Sequence, residues 1–216
     1  MPTDVYLRKQ TECSQTNLPI VGGSKGFLLL KRLFDIFVSF AAGIILLFPM
    51  LVIAVLIRLD SPGPAIFRQE RLGKNGKPFI MYKFRSMYEN AEKNGPQWAK
   101  VNDTRCTKFG RILRKSRIDE WPQLINIFCG DMSFVGPRPE RACFYDEFET
   151  YIPEFRNRLW VRPGLTGLAQ INGGYELKPE EKIVYDMEYI MNRSLKMDLY
   201  CFWKTIFVVF SHNGAR

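Results

Sequence analysis

Two adjacent carboxylates, Asp119 and Glu120, stand in a strongly basic neighbourhood: Arg111, Arg114, Lys115 and Arg117 precede them and Arg138 follows. A carboxylate can attack phosphorus and form an acyl-phosphate. Adjacent carboxylates can also hold Mg²⁺, a hard cation that takes oxygen ligands and pairs with substrate phosphates. On its own such a pair ordinarily means a helix-capping Asp beside a solvated Glu, so its interest comes from the cations around it. Arg138 lies between Pro137 and Pro139, which have fixed φ and no N–H. An arginine held in so stiff a stretch loses little freedom on gripping an anion, and its fork suits phosphate; a surface arginine in a rigid loop would read the same way. Lys83 and Arg85 alternate along one predicted strand. That places them either along a diphosphate pocket or on a solvated face. Arg162 in RPGLTG and Asp186 in YDMEY are weaker candidates. An Arg before Pro-Gly often contacts only carbonyls, and a helical Asp usually pairs with a neighbouring base.

Other chemistry is argued against by what is scarce. The 216 residues contain one histidine, His212, so histidine catalysis and His-rich metal sites have little to build on. The five cysteines (Cys13, Cys106, Cys129, Cys143, Cys201) are odd in number and contain no C-x-x-C spacing. They support neither a zinc site nor a disulfide framework. With 31 Lys+Arg against 22 Asp+Glu the formal charge is +9, which suits phosphate-rich partners: nucleic acid, anionic lipid or nucleotide. No P-loop, RNP pattern, zinc finger or G-x-G-x-x-G is present, although the basic run 109–117 could meet lipid headgroups or nucleic acid.

The elements that must carry these residues follow from pattern. Residues 36–57 form 22 consecutive positions without a charge; as a helix they reach about 33 Å, against a bilayer core of roughly 30 Å. Arg8, Lys9, Lys25, Lys31 and Arg32 stand before the segment and Arg58, Arg68, Arg71, Lys74 and Lys77 after it, so the positive-inside rule has no asymmetry to act on. Either the segment is a weakly oriented span or both ends stay on one side and it re-enters. Pro49, near the middle, removes a backbone donor and favours a kinked, re-entrant hairpin. Residues 1–26 read as a polar, loose arm without a signal-peptide cleavage site. After Ser61-Pro62-Gly63-Pro64, two strand-like runs flank the Asn75-Gly76 hairpin signal. The spacing of Phe109, Ile112 and Leu113 predicts a helix over 109–117, and a second is expected to start near Asp119-Glu120, with Pro122 in its first turn. FVGPRPE (134–140) and the glycine-rich RPGLTGLAQINGG (162–174) read as loops. Pro179-Glu180-Glu181 opens another helix, and 194–210 is apolar but interrupted, suiting a helix in the membrane interface.

The stretches KRLFDIF, SPGPAIFRQERLG, YKFRSM, DEWPQLINIF, GDMSFVGPRPE and RPGLTGLAQINGG, in that order, resemble the monotopic polyprenyl-phosphate phosphoglycosyl transferases, the bacterial sugar transferase family. The resemblance covers roughly residues 30–210. It implies transfer of sugar-1-phosphate from a UDP-sugar to a polyprenyl (undecaprenyl) phosphate with release of UMP, Mg²⁺-dependent and ping-pong, priming an exopolysaccharide or capsule. By the same resemblance Asp119 is the nucleophile, Glu120 its partner and both the Mg²⁺ site. Lys83, Arg114 and Arg138 fall at the family's basic active-site positions; from their own setting Arg85 and Arg162 join them as expected substrate-phosphate-binding residues, and Gln170 and Asp186 are further candidates. Two other readings stand beside this one: a non-catalytic membrane-tethered module that binds anionic lipid or nucleic acid through residues 105–117, and a glycosyl transferase that moves the sugar alone and would release UDP instead. The implied fold is α+β and helix-rich. It comprises an N-terminal arm (1–29), a re-entrant membrane helix hairpin broken at Pro49 (30–60), a small cytoplasmic α/β catalytic domain (61–193) and an interfacial amphipathic helix with a tail (194–216). Expected partners are the UDP-sugar, the polyprenyl phosphate and inner-membrane lipid, with a homodimer as a further candidate and no nucleic acid. The expected place is the cytoplasmic face of the bacterial inner membrane. Two departures from the family pattern stand out: Phe48 rather than Ser before Pro49, and Gly174 where many members carry Arg after the Asn172-Gly173 pair.

Overall fold

The computed structural model describes residues 21–93, 95, 103–174 and 177–211. His212, Cys13, most of the N-terminal arm and the end of the tail lie outside the described residues. Helix α1 (Lys25–Asp60) is capped by Ser24, whose hydroxyl accepts from the Phe27 N–H. It therefore begins earlier than the boundary at residue 30, and residues 21–24 are not loose: the Gly22 N–H donates to the Ile190 carbonyl at 2.9 Å. A second expectation is corrected as well. The helix runs unbroken through Pro49. Proline deletes one amide from the ladder, but the turns on either side keep theirs, so the helix persists across it.

One stripe of α1 packs on the rest of the chain along its whole length. Asp35, Val38, Ala42, Leu46, Met50, Ile53 and Ile57 recur at three- and four-residue spacing and meet the two buried apolar clusters or lie buried among them. The opposite faces are bare: Phe37 is 73% exposed and Phe48 75%. Such apolar exposure is far beyond what a water-facing helix carries. The helix is long and apolar enough to cross a membrane.

The remainder is helix-rich with two small sheets. Strands β1 (Ile66–Leu72) and β2 (Pro78–Phe84) form the expected antiparallel hairpin, pairing Phe67 with Lys83 and Gln69 with Met81. Asn75 turns the chain at φ 58°, a conformation Asn tolerates better than most residues. Helix α2 (Lys108–Lys115) leads through Arg117 at φ 56° into a 3₁₀ segment (Ile118–Gln123) and helix α3 (Leu124–Cys129). Strand β3 (Ser133–Val135) follows, then α4 (Ala142–Glu149), a 3₁₀ segment (Phe155–Trp160), strand β4 (Gly164–Thr166), α5 (Leu168–Ile171), α6 (Pro179–Asn192) and α7 (Leu195–Ser211).

The β3–β4 pair is parallel, and no periodicity in those glycine-rich stretches announces it. It requires backbones closer than a Cβ would permit: one added at Gly164 would lie 2.1 Å from the Gly136 nitrogen. The VGPRPE and RPGLTG stretches are thereby pressed into one unit. The core gathers Ile127, Met132, Tyr145, Phe155, Tyr189 and Ile190 under this unit. Lys31 of α1 pairs with Asp198 of α7 at 2.6 Å, and Asp198 also accepts from the Tyr189 hydroxyl at 2.8 Å. Helix α7 leaves Leu195, Leu199, Trp203 and Phe207 exposed. Phe40 of α1 meets Phe128 of α3, and Phe34 meets Phe202 of α7, so the bare faces of these helices adjoin.

Candidate active site

Asp119 and Glu120 fall in the first turn of the 3₁₀ segment, and both are more than nine-tenths buried. The left-handed Arg117 that precedes them turns the chain inward at that point. The segment is held against β2 by Asn126 of α3, 1% exposed, whose amide accepts from the Tyr82 N–H at 3.1 Å and donates to the Ile80 carbonyl at 2.7 Å. An edge strand is thus satisfied by a side chain, and Lys83 on that strand is brought to the acid pair.

The two carboxylates then differ sharply. Glu120 accepts a close, charge-assisted hydrogen bond from Arg138 Nη2 and lies 3.4 Å from Lys83 Nζ. Asp119 makes no hydrogen bond or ion pair among the described residues. Burial pushes the Asp119 carboxyl up, the Glu120 charge pushes it further, and Lys83, Arg114 and Arg138 only partly offset them; it stands at about 6. Burial raises Glu120 too, but the Arg138 and Lys83 charges outweigh it and hold the group well below the usual carboxylate range.

Arg138 is fixed by its loop. Pro137 and Pro139 cannot donate, yet every carbonyl from 137 to 140 accepts a bond from a different place in the fold. Gly164 N–H meets Pro137 O at 2.8 Å, Arg158 Nη2 meets Arg138 O at 2.9 Å, Arg71 Nη1 meets Pro139 O at 3.3 Å and Leu72 N–H meets Glu140 O at 3.1 Å. The site faces a cavity of about 1030 Å³ whose walls include Lys83, Arg114, Asp119, Gln123, Arg138 and Lys182, and also Leu51, Ala54 and Val55 of α1. One continuous space therefore joins the basic, acid-floored end to the apolar helix.

Of the residues singled out from sequence, Lys83, Arg114, Asp119, Glu120 and Arg138 come together. Arg114 donates to the Cys106 sulfur at 3.1 Å beside them. Gln170 also lines the cavity and is buried. Three do not behave as expected. Arg85 lines the cavity beside Lys83, but its terminal nitrogens are taken up by the Pro62, Ser61 and Ile57 carbonyls at 2.7, 2.6 and 3.1 Å, closing the end of α1 rather than facing a substrate phosphate. Arg162 is exposed and outside the cavity wall. Asp186 is 1% exposed and paired with Arg158 behind the Pro-Arg-Pro loop. Sequence reading missed Gln123, 1% exposed with an unpartnered Nε2, and Lys182, which PEEK places on an ordinary helix face. It missed Arg158 as well, since nothing in RNRLW marks that arginine out.

The described residues contain no cluster of three or more metal-binding side chains. The donor set still fits Mg²⁺ in its usual manner, one or two carboxylates plus substrate phosphates. Asp119 has its oxygens free, whereas Glu120 is taken up by Arg138 and Lys83.

The site is thus a buried acid pair ringed by cations, in a cavity walled partly by a helix long and apolar enough to cross a membrane. The chain belongs to the bacterial sugar transferase family, whose sequence model matches residues 27–212. It is 45% identical over 194 residues to the UDP-N-acetylgalactosamine-undecaprenyl-phosphate N-acetylgalactosaminephosphotransferase of Aeromonas hydrophila, covering 88% of this chain and 46% of that relative. The chain thus spans just under half the length of that protein. It is 44% identical over 186 residues to the UDP-glucose:undecaprenyl-phosphate glucose-1-phosphate transferase of Caulobacter vibrioides (82% of this chain, 68% of the relative). With the exopolysaccharide production protein PSS of Rhizobium leguminosarum bv. phaseoli the figures are 41% over 191 residues, 83% and 94%.

Proposed function

We propose that the chain transfers sugar-1-phosphate from a UDP-sugar to a polyprenyl phosphate, releasing UMP, as the priming step of a cell-surface glycan. The observation that carries this reading is the division of labour in the acid pair: Glu120 is spent on Arg138 and Lys83, leaving Asp119 buried, unpaired and surrounded by positive charge. In the first step an Asp119 oxygen bonds to the sugar-bearing phosphorus, the bond from that phosphorus to the bridging oxygen breaks, and UMP leaves with the electron pair. In the second, an oxygen of the polyprenyl phosphate attacks the same phosphorus and the Asp119 carboxylate is regenerated. Lys83, Arg114 and Arg138 attract the diphosphate and stabilise charge at the transferring group. Mg²⁺ held at Asp119 with the phosphates would neutralise charge on the diphosphate.

The chain sits on the cytoplasmic face of the inner membrane with both ends of α1 on that side. Support comes from the packed stripe: residues from Asp35 to Ile57 all meet the same globular body, so neither end has a far side to emerge on. The exposed apolar faces of α1, α3 and α7 would then enter the lipid. The experiment is UMP release from a panel of UDP-sugars with undecaprenyl phosphate and Mg²⁺. UMP is expected with at least one donor and none from Asp119→Asn, since an amide cannot form the acyl-phosphate. Release of UDP would mean that the sugar moves alone, and activity retained in Asp119→Asn would remove the covalent step. The relatives named above differ in their sugar, so the panel also identifies the donor.

A further inference from the structure

Behind the Pro-Arg-Pro loop lies a charge pair that the transfer step does not touch. Arg158 is 2% exposed and Asp186 1%; Nε and the carboxylate are 2.7 Å apart. The Arg158 guanidinium lies 4.7 Å from the Phe155 ring centroid and 5.8 Å from that of Tyr145, which fixes its plane. Its Nη2 donates to the Arg138 carbonyl, while its Nη1 is buried without a hydrogen-bond partner. For stability alone this is a poor arrangement. Two desolvated charges and an orphaned donor cost more than an apolar pair of the same volume would. What the arrangement does supply is a rigid tie to Arg138, whose guanidinium reaches Glu120 at the cavity. Neither neighbour of Arg138 has an N–H, so the loop cannot brace that residue through its own ladder.

We propose that Arg158, anchored on Asp186, is a positioning residue for phosphoryl transfer: by holding the Arg138 carbonyl it sets where the Arg138 guanidinium meets Glu120 and the incoming phosphate. The proposal rests on the reading that Arg138 serves the transfer. The path runs Asp186 carboxylate, Arg158 guanidinium, Arg138 carbonyl, Arg138 guanidinium, Glu120 carboxylate, with each contact present in the structure. Arg158 does not line the cavity, and the hydrogen bond that ties it to a cavity-lining residue is the one to the Arg138 carbonyl. A displacement of the order of 1 Å at a phosphate-gripping group can lower a rate by about 100-fold.

The test is a mutant cycle on the full chain in detergent, reading UMP release and melting temperature together. The paired replacement Arg158→Met with Asp186→Leu removes both buried charges, so it leaves no lone ion. It is expected to keep the melting temperature within a few degrees of the original while kcat/KM falls about 10- to 100-fold. Arg158→Lys keeps a cation for Asp186 but lacks the second nitrogen that reaches the Arg138 carbonyl; it is expected to lose activity comparably and carries the test if the paired variant does not fold. Adding either change to Arg138→Ala is expected to cost less than about twofold further, because the group being positioned is gone. An undiminished penalty in the Arg138→Ala background, or wild-type kcat/KM in both Arg158 variants, overturns the proposal. Wild-type activity in Arg138→Ala alone would instead overturn the role of Arg138 itself, so the two failures are distinct.

Discussion

Glu120→Gln should move the acid limb of the reaction to lower pH. Asp119 must be ionised to attack, and in the native protein its carboxyl stands at about 6, raised first by burial and then by the Glu120 charge. At pH 5 only about one molecule in eleven then carries the Asp119 carboxylate, so the rate falls roughly tenfold between pH 7.5 and 5. The glutamine removes the neighbouring negative charge, and with it the charge that Lys83 and Arg138 oppose in the native site. That loss favours ionised Asp119 and carries it towards its ordinary 3.8; an opposite charge at such range lowers a carboxyl by about 1 to 3 units. The same pH step should then cost less than about threefold, even though the absolute rate drops because Arg138 has lost its ion pair with Glu120. The assay is the burst of UMP formed with donor alone, at constant Mg²⁺, which isolates the Asp119 step from titration of the acceptor phosphate. If the limb stays at its native position in Glu120→Gln, the titrating group is not an Asp119 coupled to Glu120, and the division of roles in the pair is wrong.

Three further outcomes are expected. Arg85→Met should destabilise the chain by roughly 1 to 3 kcal/mol in chemical denaturation, because it strands the carbonyl and hydroxyl of the buried Ser61 at the end of α1. Asp35→Ala should cost about 1 to 3 kcal/mol by the same measurement, since it orphans the buried Phe134 N–H that now donates to Asp35 at 3.1 Å. Cysteines engineered at Lys25 and Asp60 should both be protected from an impermeant thiol reagent applied outside intact cells; labelling of either one would mean that α1 crosses the bilayer.

Much of the architecture was legible in local pattern. An uncharged stretch of 22 residues has few uses other than a membrane segment, and the hairpin around Asn75-Gly76 follows from turn chemistry and alternation. The Pro179 start of α6 is a local matter too: the Glu181 carboxylate reaches back to the Lys178 N–H at 2.8 Å. The parallel pairing of β3 with β4 was not legible, because it joins Ser133 to Gly164 across two intervening helical segments and rests on close approach at glycines. Pro49 misled for the complementary reason: a missing amide marks where a helix can break, but the packing of Leu46, Met50 and Ile53 along one stripe governs whether it does.

At the site, sequence by itself determined the inventory: an Asp-Glu pair, a stiff Pro-Arg-Pro loop, a lysine on a strand and almost no histidine. Residue type and near-neighbour spacing are enough for that, since proline fixes its own φ and a carboxylate brings its own chemistry. Only the tertiary structure decided which members work together and in what role. It tied Arg85's nitrogens to the end of α1 and left Arg162 exposed. It gave Asp186 to Arg158, and it paired Glu120 so that Asp119 stands free. The reason is physical: a carboxyl's availability and acidity depend on burial and on charges within a few ångströms, and those charges arrive from positions 36 residues before Asp119 (Lys83) and 19 after it (Arg138), distances along the chain that no local pattern encodes.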